Sequence, residues 1–178
     1  MATQGDSDTE FDNDLIIDND DISSRVTKST YYDIEEFNDF TKEINLDNTI
    51  SVLNINARSL VKHINELTVI LEEIVVKFDV ITIEETWLDD LLKPLVDLSG
   101  YTFIAKHKRQ KKEGGGIGIY IKNNIEYVER IDLDCFNDHE DIFYYKFIEI
   151  KQEAPLKNSL IGVFYRPPGQ NTISDSHS

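Results

Sequence analysis

Cysteine is almost missing: Cys135 stands alone in 178 residues, so no internal disulfide can form, which suits a reducing compartment. Long apolar runs are missing as well. No stretch of about 18 consecutive apolar residues occurs, which argues against a transmembrane helix. The N-terminus has neither a basic start nor an apolar h-region, so no secretory signal is expected. These absences predict an intracellular protein, nuclear or cytoplasmic, with no membrane partner. Nothing in them speaks to oligomeric state.

Basic side chains are scarce and unevenly placed. Lys and Arg total 18 against 34 Asp and Glu, a formal charge of -16. Residues 1–50 hold 14 acidic and 3 basic side chains, or -11, and residues 51–178 hold 20 and 15, or -5. Such a balance argues against tight electrostatic binding of DNA, where phosphate neutralisation supplies most of the non-specific affinity. It leaves room for a metal-dependent site, in which carboxylates hold the cation and the cation meets the phosphate.

What is present is enough apolar content for a core, 40% hydrophobic and 10% aromatic, in a length that fits one domain with tails. Residues 1–28 are polar, with Leu15-Ile16-Ile17 their only apolar cluster, and read as a disordered acidic lead. A short amphipathic helix is expected over 31–40, capped by Ser29 or Thr30, with Ile34, Phe37 and Phe40 facing inward. Ser51–Asn56 reads as a buried strand. Ser59 would cap the helix that follows, whose Leu60, Ile64, Leu67, Leu71, Ile74 and Val75 recur at three- and four-residue steps. Val80–Ile83 is an apolar, β-branched strand suited to central burial. Strand, helix and strand together predict a parallel pair with a right-handed crossover.

Such a pair ends at one edge, where Asn54, Asn56, Glu84 and Glu85 would meet. A carboxylate beside two amides suits a hard divalent cation and phosphate oxygens. The plainer alternatives are amides that cap the turn and a solvated charge at the strand end.

Further along, strands are expected at 100–105, 119–121, 125–132, 143–150 and 159–165. The run KHKRQKK at 106–112 is either a contact for a nucleic-acid backbone, through Lys108 and Arg109, or a solvated loop. Gly114-Gly115-Gly116-Ile117-Gly118 lacks the spacing and the lysine of a P-loop and leads into a strand, so its glycines are expected to pack a strand start under neighbouring backbone. Cys135 and His139 have no partners at metal-ligand spacing. Tyr165-Arg166-Pro167-Pro168-Gly169 is a rigid turn, and 169–178 is a polar tail.

Four stretches in order, LNINARSL at 53–60, IEETWL at 83–88, GGGIGIYI at 114–121 and IGVFYRPP at 161–168, resemble the endonuclease domain of non-LTR, LINE-like retrotransposons. That domain belongs to the endonuclease/exonuclease/phosphatase superfamily. The resemblance covers roughly residues 50–168 and implies an α/β fold, a two-sheet α/β sandwich incomplete here, within a domain spanning 29–168. It further implies Mg²⁺- or Mn²⁺-assisted hydrolysis of a phosphodiester in DNA, and a reverse transcriptase as the usual companion of such a domain. By the same resemblance Asn54 and Asn56 position the site, Glu85 is the metal-binding glutamate, Tyr165 contacts the phosphate, and Arg58 reaches a phosphate or is simply solvated.

The family pattern also calls for a later Asp and Asn in a GDFN-type segment and a terminal Ser-Asp-His. Neither follows Tyr165; Ser174-Asp175-Ser176-His177 lies too close behind it to serve. The resemblance therefore predicts a truncated copy, about the first two-thirds of such a domain, with negligible cleavage on its own and an exposed apolar sheet edge. Two other readings stand beside it: a non-catalytic interaction protein built on the same sheet, and a phosphatase of the same superfamily.

Overall fold

Two segments, Val80–Glu84 and Ile117–Lys122, are apolar along nearly their whole length, and a strand of that kind is stable only with both faces covered. In the computed structural model, which describes residues 30–106, 114–133 and 143–166, they lie side by side in antiparallel register at the centre of a four-stranded sheet. The chain divides into two units, Met1–Tyr32 and Asp33–Ser178, and all the described secondary structure belongs to the second. The acidic lead, the tail, Lys108, Arg109, Cys135 and His139 fall outside the described residues.

In chain order the elements are α1 (Ile34–Lys42), β1 (Val52–Asn56), α2 (Leu60–Glu73), β2 (Val80–Glu84), a 3₁₀ turn (Lys93–Val96), β3 (Tyr101–Lys106), β4 (Ile117–Lys122), β5 (Tyr127–Glu129), a second 3₁₀ turn (Ile131–Leu133), β6 (Tyr144–Ile150) and β7 (Ser159–Tyr165). The first sheet runs β1-β2-β4-β3, with β1 and β2 parallel as expected and the other pairs antiparallel. The second, antiparallel throughout, runs β5-β6-β7. The fold is thus mixed α/β with two sheets and few helices. Among the described residues no helix is long and apolar enough to cross a membrane.

Alternation sorts the central side chains into two cores. Ile81, Ile83 and Tyr120 pack with Leu60, Ile64, Leu67 and Leu71 of α2. Val80, Ile117, Ile119 and Ile121 face the other way, onto Ile148, Ile150 and Val163 of the second sheet. Each such side chain contributes about 1.5–3 kcal/mol on burial, so the sandwich is held chiefly through β2 and β4.

Several expectations are corrected. Strand β1 is an edge, not a buried strand: Val52 is 46% exposed, and exposed and half-buried residues alternate along it. Helix α1 is capped by Asp33, which forms a capping box with Glu36, rather than by Ser29 or Thr30. Phe40 and Val75 lie at the surface, 44% and 61% exposed. Helix α2 ends at Glu73, where Asn38 accepts from Val75 N–H and donates to the Glu73 carbonyl, while the Lys77 ammonium meets the carbonyls of Leu71 and Ile74 at 2.6 and 2.8 Å. Strand β5 keeps only three residues of the segment 125–132 read as strand, and a 3₁₀ turn takes its end at 131–133.

The glycines pack under aromatic rings instead of backbone. A Cβ on Gly118 would lie 2.4 Å from the Phe103 ring, and one on Gly115, whose φ is +82°, would lie 2.8 Å from the Tyr144 ring.

Candidate functional site

Strands β1 and β2 finish level with each other, Asn56 opposite Glu84. Their pairing does not stop there. The Ala57 N–H donates to the Glu84 carbonyl at 2.9 Å, Ser59 N–H to that of Glu85 at 2.9 Å and Leu60 N–H to that of Thr86 at 3.0 Å. On the far side Thr86 and Trp87 N–H donate to the carbonyls of Gly116 and Gly115. Both turns are stitched into the sheet rim, and α2 starts from that stitching: the Ser59 hydroxyl makes no capping bond.

The stitching holds four non-glycine residues at positive φ, Arg58 (+42°), Ser59 (+90°), Glu85 (+52°) and Trp87 (+55°). Each such residue costs on the order of 1–2 kcal/mol. The strain at Glu85 has a geometric result. In an extended strand neighbouring side chains point to opposite faces, so Glu84 and Glu85 would separate. Here Asn54 Nδ2 donates to Glu84 Oε1 at 3.3 Å and Asn56 Nδ2 to Glu85 Oε1 at 2.9 Å. Since Asn54 and Asn56 share a face, the left-handed residue brings the two carboxylates to one side.

Tyr165 arrives at the same place from β7, in the other sheet. Its side chain is buried, and its hydroxyl is pushed up to about 12 by burial first, then by hydrogen bonding to Glu85 and by the charges of Glu85 and Glu84. At neutral pH it is a neutral proton donor. The Tyr144 ring, 6.2 Å from that of Tyr165, presses on Gly115, so the bare glycine lets this wall approach the rim.

The amides are fixed at both ends. Asn56 Oδ1 accepts from Arg58 N–H at 3.3 Å, and Asn54 Oδ1 accepts from the Thr82 hydroxyl at 2.8 Å. They thus orient the carboxylates and are not placed as ligands themselves. Arg58 is exposed beside a groove of about 430 Å³ that runs between β1 and α2 and is lined by Leu53, Ile55, Leu67 and Ile70. Thr86 Oγ1 and Trp87 Nε1 are buried without a hydrogen-bond partner, and the Lys62 ammonium lies 5.9 Å from the Trp87 ring centre.

Of the residues singled out from sequence, Asn54, Asn56, Glu85 and Tyr165 come together. Arg58 sits on the adjoining turn, and Lys108 and Arg109 lie outside the described residues. Glu84 joins the group as its place at the strand end leads one to expect, although the family resemblance assigns the metal to Glu85. Thr82 and the buried polar atoms of Thr86 and Trp87 were missed. Thr82 alone carries a signal, as the single polar residue within the apolar run 80–83.

The donor set suits a hard cation. Two carboxylates face one space, and among the described residues no cationic side chain forms an ion pair with either. No third His, Cys, Asp or Glu among those residues completes a metal cage. Mg²⁺ is commonly held in this way, by one or two carboxylates with waters and substrate phosphate filling the remaining positions. Comparison of the chain with protein-family models, curated proteins and solved structures finds no match.

Proposed function

We propose that this chain carries the cation-binding and phosphate-positioning half of a metal-dependent DNA endonuclease site, of the retrotransposon type within the endonuclease/exonuclease/phosphatase superfamily. One observation carries the reading: Asn54 and Asn56 from one sheet and Tyr165 from the other converge on the carboxylate pair Glu84 and Glu85. Asn54, Asn56, Glu85 and Tyr165 are singled out by three of the four sequence motifs, and a site assembled from separate motifs is hard to account for by packing alone.

A bound Mg²⁺ or Mn²⁺ would be held by Glu85, with Glu84 beside it, and would supply charge neutralisation at a phosphodiester oxygen. The protein's part is positioning. Asn56 fixes the Glu85 carboxylate, Asn54 that of Glu84, and Tyr165 presents a neutral hydroxyl that stays protonated beside two negative charges. Arg58, Lys108 and Arg109 are the basic residues assigned to the DNA backbone. A group able to activate water does not join this cluster among the described residues. Loss of a general base costs about 10²–10⁴-fold, so the described residues alone favour slow or absent cleavage.

The test is a Mn²⁺ titration, followed by the electron paramagnetic resonance of free Mn²⁺, with and without a short DNA duplex. One site is expected, tightened by DNA and weakened at least tenfold by Glu85→Gln. Absence of Mn²⁺ binding, or binding indifferent to that substitution, overturns the proposal. The lack of a water-activating base among the described residues favours a second reading, a non-catalytic interaction protein on this scaffold. DNA binding that ignores Mn²⁺ would select it.

A further inference from the structure

The one polar side chain buried inside the apolar run of β2 is Thr82, 4% exposed and directly opposite Asn54 in the parallel register. Its hydroxyl has one proton and two acceptors in reach, the Leu53 carbonyl at 3.4 Å and Asn54 Oδ1 at 2.8 Å. The shorter bond is the stronger. With Oδ1 occupied by the hydroxyl proton, the nitrogen end of the Asn54 amide faces Glu84 Oε1 at 3.3 Å.

We infer that Thr82 is a positioning residue for the cation site: it fixes which end of the Asn54 amide faces the carboxylates, and through Asn54 it holds Glu84 beside Glu85. This rests on the function proposed above. The physical need for Thr82 is greatest when a cation is bound. Without one, Glu84 by itself favours the amide nitrogen, because an amide oxygen turned toward a carboxylate is repelled. Once a cation draws on Glu84, that preference weakens, and the carbonyl end of Asn54 becomes attractive to the cation. The Thr82 hydroxyl then opposes the flip, because flipping would exchange its 2.8 Å bond to Asn54 for the poorer 3.4 Å bond to the Leu53 carbonyl, leaving its oxygen to accept from the amide NH₂. Asn54 so remains a donor: one proton goes to Glu84, and the other is free for an anionic oxygen. Partners of this indirect kind tune metal affinity in other sites.

The test compares Mn²⁺ affinity across wild type, Thr82→Val, Thr82→Ser and Glu85→Gln, with melting temperature and the ¹⁵N–¹H resonances of the Asn54 side chain recorded alongside. Thr82→Val keeps the shape and removes the proton. It should weaken Mn²⁺ binding about fivefold, the loss of one hydrogen bond, and should shift the Asn54 amide pair on Mn²⁺ addition. Thr82→Ser should restore both to wild-type values. Thr82→Ala repeats the comparison with neither γ-methyl, should valine fail to fold. A lower melting temperature with unchanged Mn²⁺ affinity and unchanged Asn54 resonances would make Thr82 merely structural and overturn the inference alone. Mn²⁺ binding that is absent from the wild type, or untouched by Glu85→Gln, would instead remove the underlying function and the inference with it.

Discussion

Alkaline pH should weaken this protein partly through Tyr165. The hydroxyl titrates near 10 in the unfolded chain and at about 12 in the fold. A group whose folded value is raised adds stability that is fully present below the unfolded value and is lost as pH rises through the folded one. The window is therefore about pH 10 to 12. Two pH units correspond to about 2.7 kcal/mol if nothing intervenes. The ring is 9% exposed, but the hydroxyl lies at the rim beside two half-buried carboxylates, so screening by water brings this nearer to about 1 kcal/mol. The perturbation is Tyr165→Phe, which keeps the ring and deletes the titrating group. Urea unfolding at pH 8.5, 10 and 11.5 should show wild type losing about 1 kcal/mol more than the variant across that range. Comparison of the two proteins cancels Tyr101, Tyr120 and Tyr127, whose hydroxyls are also pushed up by burial. Parallel losses in both proteins would refute the placement of Tyr165 beside Glu85 and Glu84.

Gly118→Ala should destabilise the fold by about 1–3 kcal/mol, because its methyl would fall 2.4 Å from the Phe103 ring, which is itself packed at a tilt with its centroid 4.4 Å from that of Tyr120. Thermal melting reads this as a drop of several degrees, and Phe103→Leu in the same chain should recover part of it; an additive double mutant would deny the contact. In a supercoiled-plasmid assay with Mg²⁺ the chain should nick no faster than Glu85→Ala, and cleavage that outruns that variant would show a water-activating group outside the described residues.

The sandwich is legible in the sequence where a strand's pattern has one cause. Val80–Ile83 and Ile117–Ile121 are apolar on both faces because they lie between a helix and a second sheet, and an unbroken apolar run in so short a strand rarely arises in any other setting. The parallel pairing of β1 and β2 follows from a strand, a helix and a strand in close succession. Strand β1 reads as buried only while Leu53 and Ile55 are weighed as core residues. The alternation of VLNIN, with polar residues at two successive second places, already describes an edge with one wet face. Helix starts mislead for a different reason. Ser29, Thr30 and Ser59 are good caps by type, but Asp33 has Glu36 three residues on and closes a reciprocal box, whereas Ser59 is held at φ +90° by its bond to the Glu85 carbonyl. Local preference yields when a neighbouring strand supplies the partner.

The site divides along the same line. Asn54 and Asn56 can be placed on one face by counting residues, since a period of two needs no tertiary information. Glu85 cannot. Period two puts Glu84 with Thr82 on the face of the two amides and Glu85 on the other, and only the left-handed backbone at Glu85 cancels that assignment. Nothing in Glu-Glu-Thr announces a positive φ, which in this rim is enforced by hydrogen bonds from Ser59, reached through a turn about 26 residues earlier, and to Gly116, about 30 residues later. Thr82 is hidden for the opposite reason: a β-branched residue in a β-branched strand looks like packing, and its role follows only from its register with Asn54. The two carboxylates therefore share a site because backbone strain at one residue is held from two distant parts of the chain. Relaxing Glu85 to an extended conformation would part them even with every side chain unchanged.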